Sequence, residues 1–525
     1  MPSAEIELKL LLPGANAADI EDRLRGLAVL ARRKAQTQWL WNRYYDTAEA
    51  SLRTQRSALR LRCVSDAPWQ PSPRGPVPKG KWIQTFKSAG TSLGGLSTRG
   101  EWESEQASGA LDERALRETP WRQMDPRGEL FAALRPCFDT RSRRTTWQLR
   151  RYQGAWIEVA LDVGDIVAGE QSQPVLELEL ELKQGPAESL FALAHTIAQT
   201  IAVLPCDASK AERGYNLALG QRLRPRSAKA IALPPDATPL HAAQASLADA
   251  YEQITRNLAG LLHADDPELV HQARVGWRRW RSAGWLFSPW TGPMPDTADL
   301  KPLLIALGQM RDLDVLQIET LATWLPRFVE GDALRRRPAQ RVVAQVAQAQ
   351  AAQRERVRAS LCSPPTGAAL LRLAHALVEI AEAARANGAT GAPRKAEKRK
   401  AKKHGKAGER HNQAKGTPWA TARMATVRTQ LERTLKASNQ PDASTTLIHR
   451  ARLKAKRARY AAEMLHDVLP PHSGVKLARR ATAIQTRVGQ DRDMQQAIAL
   501  LQAMEVDARL IGFLQGVRAG RAASA

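Results

Sequence analysis

Two distant segments of this chain, Glu5-Ile6-Glu7-Leu8-Lys9 and Glu177-Leu178-Glu179-Leu180-Glu181-Leu182-Lys183, alternate charged and aliphatic residues with a strict period of two. That period belongs to a β-strand, whose successive side chains point to opposite faces. Each strand therefore has one charged face and one aliphatic face. Other runs repeat the pattern with complementary charge. Ala58–Arg62 sets Arg60 and Arg62 on one face, and Trp82–Lys87 ends with Lys87 out of phase with Phe86. Arg99–Glu105 aligns one base with three acids, and Trp156–Asp162 alternates Glu158 and Asp162 with Ile157, Val159 and Leu161. Residues 144–150 (RTTWQLR) read as one more strand. Each run is short and bounded by turn residues. Six or more such strands within the first ~185 residues predict a closed or nearly closed antiparallel barrel.

On a lone antiparallel sheet the aliphatic face would be core and the charged face solvated. Here every strand carries the same inversion and the signs are mixed, so inward-facing charges would make a tunnel lined by acids and bases together. Carboxylates suit hard cations such as Mg²⁺ or Mn²⁺, which prefer oxygen ligands. Arginine and lysine suit phosphate oxygens, the first as a planar fork and the second as a point charge. Both sets in one cavity describe a site for a metal-chelated phosphate chain.

The ExExK start, the LRLR strand, TFK, RGE, ALD, ELELE and Ser209-Lys210-Ala211-Glu212-Arg213-Gly214-Tyr215 follow one another in an order that resembles the CYTH domain of triphosphate tunnel metalloenzymes, over residues 3–218. Members of that family are inorganic, thiamine and RNA triphosphatases and one class of adenylate cyclase. The resemblance implies that Glu5, Glu7, Glu177 and Glu179 hold metal (Mg²⁺ or Mn²⁺), with Glu101 as a further acid. It implies that Lys9, Arg60, Arg62, Lys87, Arg99 and Arg144 grip phosphates. Lys210 and Arg213, three apart on a short helix and so on one face, match the basic pair beside the attacking water. Glu103, Glu158, Asp162 and Glu181 share the charged face without an assigned role.

Charge separates the two halves. Residues 1–220 carry 29 Lys+Arg and 27 Asp+Glu, which leaves 78 − 29 = 49 and 53 − 27 = 26 for residues 221–525. The first half is nearly neutral and the second is +23 of the total +25. A polyanionic partner belongs with the second half. The N-terminus reads as strand rather than signal peptide, and no run approaches the ~20 apolar residues of a membrane span. The four cysteines, Cys63, Cys137, Cys206 and Cys362, lack metal-ligand spacing and fit a reduced cytoplasm. Residues 68–78 read as a long hairpin loop, and the proline-rich segment 222–239 as a linker.

From residue 240 to 515 the pattern becomes helical. One segment, 387–417, is rich in Gly, Ala and Lys, with ten Lys+Arg against two Glu between Arg394 and Lys415, and is expected to be a disordered basic insertion. The rest repeats itself. His271, Arg274, Arg278 and Arg281 recur as His449, Arg452, Lys456 and Arg459, offset by 178 residues, and Leu307–Asp312 recurs as Val488–Asp493, offset by 181. A duplicated four-helix unit follows. At ~100° per residue each set of four occupies one stripe within about 80° of arc. This half resembles a CHAD domain, which implies a pseudo-symmetric helical module that binds inorganic polyphosphate. The histidines lack a second ligand at helical spacing, so a hydrogen-bonding or partly protonated role beside phosphate fits them better than metal.

The expected protein is α+β: an N-terminal antiparallel β-barrel tunnel followed by an all-α, pseudo-symmetric, duplicated four-helix-bundle domain. The expected activity is metal-dependent hydrolysis of tripolyphosphate to pyrophosphate and phosphate, beside a polyphosphate-binding domain, in the cytoplasm or on polyphosphate granules. The same barrel could instead be an adenylate cyclase or another nucleotide or organic triphosphatase, and the protein could be a non-catalytic polyphosphate binder. Nucleic acid fits less well, because the basic stripes interleave no aromatics beyond Trp277 and Trp280 and carry no recognised motif.

Overall fold

The computed structural model describes residues 4–68, 80–221, 224–390, 417–438, 440, 444–470, 479 and 493–523. They divide into two compact units, Met1–Pro225 with Leu361–His375, and Arg226–Ser360 with Ala376–Ala525. The first is built on ten strands: β1 (Ala4–Leu11), β2 (Ala35–Asp46), β3 (Ala58–Ser65), β4 (Lys81–Lys87), β5 (Thr91–Leu93), β6 (Leu96–Gln106), β7 (Arg135–Tyr152), β8 (Ala155–Ala168), β9 (Gln171–Gln184) and β10 (Leu204–Pro205). Hydrogen bonding runs β1-β9-β8-β7-β2-β3-β4-β6, and β6 pairs back onto β1, so eight strands close into an antiparallel barrel. Two short strands, β5 and β10, are added outside the ring.

Side-chain parity makes this barrel inside-out. Leu8, Leu10, Leu178 and Leu180 face outward and are fully buried, because the helix Glu188–Ala198 lays Leu190, Leu193 and Ile197 over β1 and β9. On the far side Leu59 and Phe86 are covered by Leu52, Leu116 and Trp121. With the aliphatic faces buried outside, the charged faces turn in. One end of the interior is closed by an apolar plug, in which inward-facing Tyr44, Phe138, Ile166 and Val175 meet Tyr215 of the helix Lys210–Ala218. Gly214 permits that fit, since a Cβ there would sit 2.1 Å from the Phe138 ring.

The strand runs differ from expectation in length. The run at residues 144–150 is the middle of an 18-residue strand, and β8 and β9 have 14 residues each, so these three strands form long hairpins. β2 was not expected at all. Residues 69–78 of the expected hairpin loop lie outside the described residues, although β3 and β4 pair as a hairpin requires.

The second unit is helical. Pro239–Leu261 starts with proline in its first turn and Thr238 as N-cap, and Pro267–Thr291 likewise with Asp266, a sequence-coded start in each case. Their counterparts are Pro418–Ser438 and Thr445–Met464. The starts differ by 418 − 239 = 179 and 445 − 267 = 178 residues, matching the repeat in the sequence. The helices 267–291 and 445–464, which carry the two stripes, pack on each other. A separate core gathers Leu316, Phe328, Val346, Leu501 and Leu510. Most of the expected disordered insertion lies outside the described residues, but its first four residues continue the helix Pro364–Thr390. Among the described residues no helix is long and apolar enough to cross a membrane.

Candidate active site and the basic helical face

Antiparallel register brings the barrel's acids together. β1 pairs with β9 so that Lys9 lies opposite Glu179, and β8 pairs with β9 so that Asp162 lies opposite Glu177. Carboxylate oxygens of Asp162, Glu177 and Glu179 lie within 4.8 Å of one another. The helix capped by Ser209 delivers Lys210 into their midst. Its Nζ is 2.7 Å from Asp162 Oδ2 and 2.9 Å from Glu179 Oε1, and it also contacts Glu177. Arg213, one turn on, donates to Glu177 Oε2 at 3.0 Å. Arg144 forks onto Asp162 at 2.8 and 2.6 Å and reaches Glu179 at 2.6 Å. Burial alone would raise these carboxyl pKa values, but Arg144 and Lys210 hold Asp162 down at about 2. Lys210, Arg144 and Lys9 hold Glu179 well below the usual carboxylate range. Burial disfavours the Lys210 ammonium, yet its three acids keep it charged with a raised pKa.

A second group faces it from β1, β4 and β6. Lys87 donates to Glu5 at 2.9 and 3.0 Å and pairs with Glu101 at 2.9 Å. Arg99 bridges Glu5 and Glu7 at 2.8 and 2.9 Å, and Arg60 meets Glu101 at 3.2 Å. Against burial, Lys87 and Arg60 lower the Glu101 pKa to about 2. Lys9 joins the two groups, 3.5 Å from Glu7 and 3.8 Å from Glu179.

Between them lies a cavity of about 240 Å³ lined by eight basic and seven acidic side chains, room for on the order of ten waters at roughly 15 Å³ each. Nearly all its bases are matched by acids. Arg62 is the exception: among the described residues no carboxylate lies within 4.0 Å of it, and its Nε donates to Asn42 Oδ1 at 2.7 Å. Burial, Arg60 and Arg144 push its pKa down to about 10. Glu103 offsets this only in part and makes no ion pair with it, so a guanidinium held among like charges marks a place for an anion.

The structure thus splits the five expected metal ligands. Glu177 and Glu179 sit with Asp162, a residue without an expected role, whereas Glu5, Glu7 and Glu101 lie in the second group. Glu103, Glu158 and Glu181 line the cavity. Three carboxylates in mutual reach, Asp162 and Glu177 buried and Glu179 partly so, are a hard oxygen donor set, and they fit a divalent cation such as Mg²⁺ or Mn²⁺. Tyr44 and Asn42 also line the cavity. Both come from the unforeseen β2, and only the pairing of that strand with β3 could have signalled them. Tyr44 stacks on Phe138 at 4.6 Å, and although burial opposes it, Arg60 and Lys87 lower its pKa.

In the helical unit, Arg274 and Arg278 are half-buried and Arg281 is exposed. Gly308 of the repeated Leu307–Asp312 motif leaves room for the Arg274 guanidinium, since a Cβ there would lie 3.0 Å from Nη1. Arg278 Nε approaches the Tyr460 hydroxyl at 3.5 Å. Burial and Arg311 lower the His271 pKa, which favours the neutral ring in the free protein. In the second copy, Arg459 pairs with Glu463 at 2.6 Å, and Arg452 and Lys456 each have an interaction partner. The His449 side chain and Val488–Arg492 lie outside the described residues.

A CYTH domain profile matches residues 3–215 and a CHAD domain profile residues 245–502. An inorganic triphosphatase of Haemophilus influenzae is 31% identical over 220 residues, 42% of this chain and 56% of that protein, so the chain spans little more than half of this relative's length. The crystal structure of the CHAD domain from the plant Ricinus communis is 28% identical, with 57% of this chain and 92% of that one covered at a TM-score of 0.44. A Hippeastrum protein described as an adenylyl cyclase with a dominant triphosphatase activity is 20% identical, with 40% and 94% covered at a TM-score of 0.29. Barrel and helical unit therefore belong to known families: the chain joins a CYTH domain to a CHAD domain.

Proposed function

We propose that the barrel is a metal-dependent inorganic triphosphatase that converts tripolyphosphate to pyrophosphate and phosphate, and that the helical unit binds inorganic polyphosphate. The observation that carries the first part is Arg62, a half-buried cation with no carboxylate within 4.0 Å among the described residues, in a cavity whose other bases are matched. Arriving phosphate oxygens would relieve its repulsion from Arg60 and Arg144. The 31% identity to an inorganic triphosphatase supports the same reading.

Phosphoryl transfer needs little covalent help, so position and charge supply most of the catalysis. Arg60, Arg62, Arg144, Lys87 and Lys9 fix the phosphates along the cavity, and Arg99 braces Glu5 and Glu7. Asp162, Glu177 and Glu179 would hold the cation, which when bound offsets charge on the chain's oxygens. Lys210, fixed by these carboxylates and by its helix, positions the water, with Arg213 holding Glu177 in place. Attack in line forms one P–O bond as the anhydride P–O bond breaks, with pyrophosphate leaving and the water's proton passing to a nearby carboxylate or product oxygen. The helical unit, which carries most of the chain's excess positive charge, would keep the protein on polyphosphate, in the cytoplasm or at granules.

A phosphate-release screen over tripolyphosphate, longer polyphosphates, ATP and thiamine triphosphate, with Mg²⁺, Mn²⁺ or EDTA, tests the reading. Tripolyphosphate with metal should turn over fastest, and Arg62→Ala should raise KM about 10-fold or more. Faster turnover of ATP to a cyclic nucleotide, or equal rates in EDTA, would overturn it.

A further inference from the structure

Periodicity put the cations of the helix 445–464 on one stripe, Arg452, Lys456 and Arg459. All three are engaged. Two other cations of this helix, Lys454 and Arg457, lie about 160° and 100° round from Lys456 at ~100° per residue. They converge on a single indole. Lys454 Nζ is 5.6 Å and Arg457 Cζ 5.5 Å from the Trp285 ring centroid, and Arg423 of the helix 418–438 is 4.7 Å from it. Arg423 is anchored, donating at 2.7 Å each to the Leu286 and Trp285 carbonyls. Lys454 donates to Gln430 at 2.9 Å. Arg281, the last residue of the first stripe, acts on Arg457 closely enough to disfavour its charge.

Among the described residues no carboxylate lies within 4.0 Å of Arg281, Arg423, Lys454 or Arg457. Three helices thus bring three cations without a carboxylate partner to one half-buried aromatic ring, with Arg281 acting on one of them. Burial lowers the pKa of Arg423, Lys454 and Arg457, with repulsion from Arg457 adding to it for Lys454 and repulsion from Arg281 for Arg457. Cation–π attraction of ~0.5–2 kcal/mol per pair holds them there, but it leaves the net charge unanswered. An anion would answer it, in a partly desolvated setting where Coulomb attraction is strong.

We propose that the anion site of the helical unit is asymmetric: it runs from Arg281 onto the Trp285 cluster rather than across the second stripe, and its ligand is an inorganic phosphate chain. This rests on the polyphosphate reading above and locates it. A phosphate chain fits better than nucleic acid because the indole is already faced by cations, which bars it as a stacking platform for a base.

The test uses the full-length protein in EDTA, to stop turnover, and end-labelled polyphosphate of about 100 units titrated at several KCl concentrations. Lys454→Gln/Arg457→Gln and Arg452→Gln/Lys456→Gln remove equal charge from the same helix. The first pair should weaken binding about 10-fold or more and flatten the slope of log K against log salt by about 1–2, as lost phosphate contacts require. The second pair should cost less than about 3-fold. Arg457→Lys keeps the charge and should retain most of the affinity, and Trp285→Phe, which keeps a ring, serves if the double variant melts early. Equal losses, a larger loss from Arg452 and Lys456, or none from either pair would overturn the proposal while leaving polyphosphate binding in place. Wild type that fails to bind polyphosphate, or prefers duplex DNA through the same cluster, would overturn the underlying reading as well.

Discussion

Asp162→Asn changes one oxygen to an amide nitrogen at a position with no solvent exposure, so its effect reports the carboxylate charge rather than packing. In the wild type that charge is met by the Arg144 fork at 2.8 and 2.6 Å and by Lys210 at 2.7 Å. These hold its pKa at about 2 against an ordinary value of 3.8. At 1.36 kcal/mol per pKa unit, that difference is worth about 2 kcal/mol of folding stability at neutral pH. Removing one partner of a buried pair typically costs ~3–5 kcal/mol. The smaller figure applies here because Glu177 and Glu179 still face Lys210. A depressed carboxyl pKa gives stability that is present above 3.8 and lost as pH falls through about 2. Urea unfolding at pH 7, 5, 3 and 2 should therefore show Asp162→Asn about 2 kcal/mol less stable at pH 7 and 5, with the gap closing below pH 4. At pH 7 the barrel's Tm should drop by roughly 4–8 °C. A gap independent of pH, or no gap at all, would refute the buried-charge assignment.

Three further outcomes follow from the same geometry. Lys210→Ala leaves three carboxylates within 4.8 Å of one another without their ammonium; melting in EDTA should be lowered and Mg²⁺ should raise Tm more than in wild type, with ~2.7 kcal/mol available at 100 times Kd, while kcat falls more than KM rises. Gly214→Ala must displace the Phe138 ring, 2.1 Å from the new Cβ, and should cost about 1–3 kcal/mol in urea unfolding. Burial, with Glu177 nearby, pushes the Cys206 thiol up to about 11, so a thiol reagent at pH 8 should leave it unmodified in the native protein and label it once unfolded.

How much of this was legible depends on where the charge sits. β1, β3, β4, β6, β8 and β9 announce themselves because charged and aliphatic residues alternate on them. β2 does not: its inner face carries Leu40, Asn42 and Tyr44, which look no different from its outer face of tryptophan and arginine. Asp162 was placed on the right face but gained its partners only through register, which sets it opposite Glu177 and is not encoded in either strand alone. The same limit governs the helical half. A period of 3.6 finds stripes on one helix and found both copies. It cannot see that Lys454, Arg457 and Arg423 come from two helices to the indole of a third. Nor can it see which cations are already matched by an acid, as Arg459 is by Glu463.

The proposed reaction is cleavage of tripolyphosphate in the tunnel, with a metal held by its inward carboxylates. Phosphorus NMR of tripolyphosphate incubated with the full-length protein and Mg²⁺ follows substrate and both products at once. Pyrophosphate and phosphate should appear in equal amounts, stop on addition of EDTA, and form at least ~100-fold more slowly with Glu179→Gln, since even changes beyond the ligands typically cost 10–100-fold. Unchanged tripolyphosphate with the folded wild-type protein, or equal rates for wild type and Glu179→Gln, would contradict it.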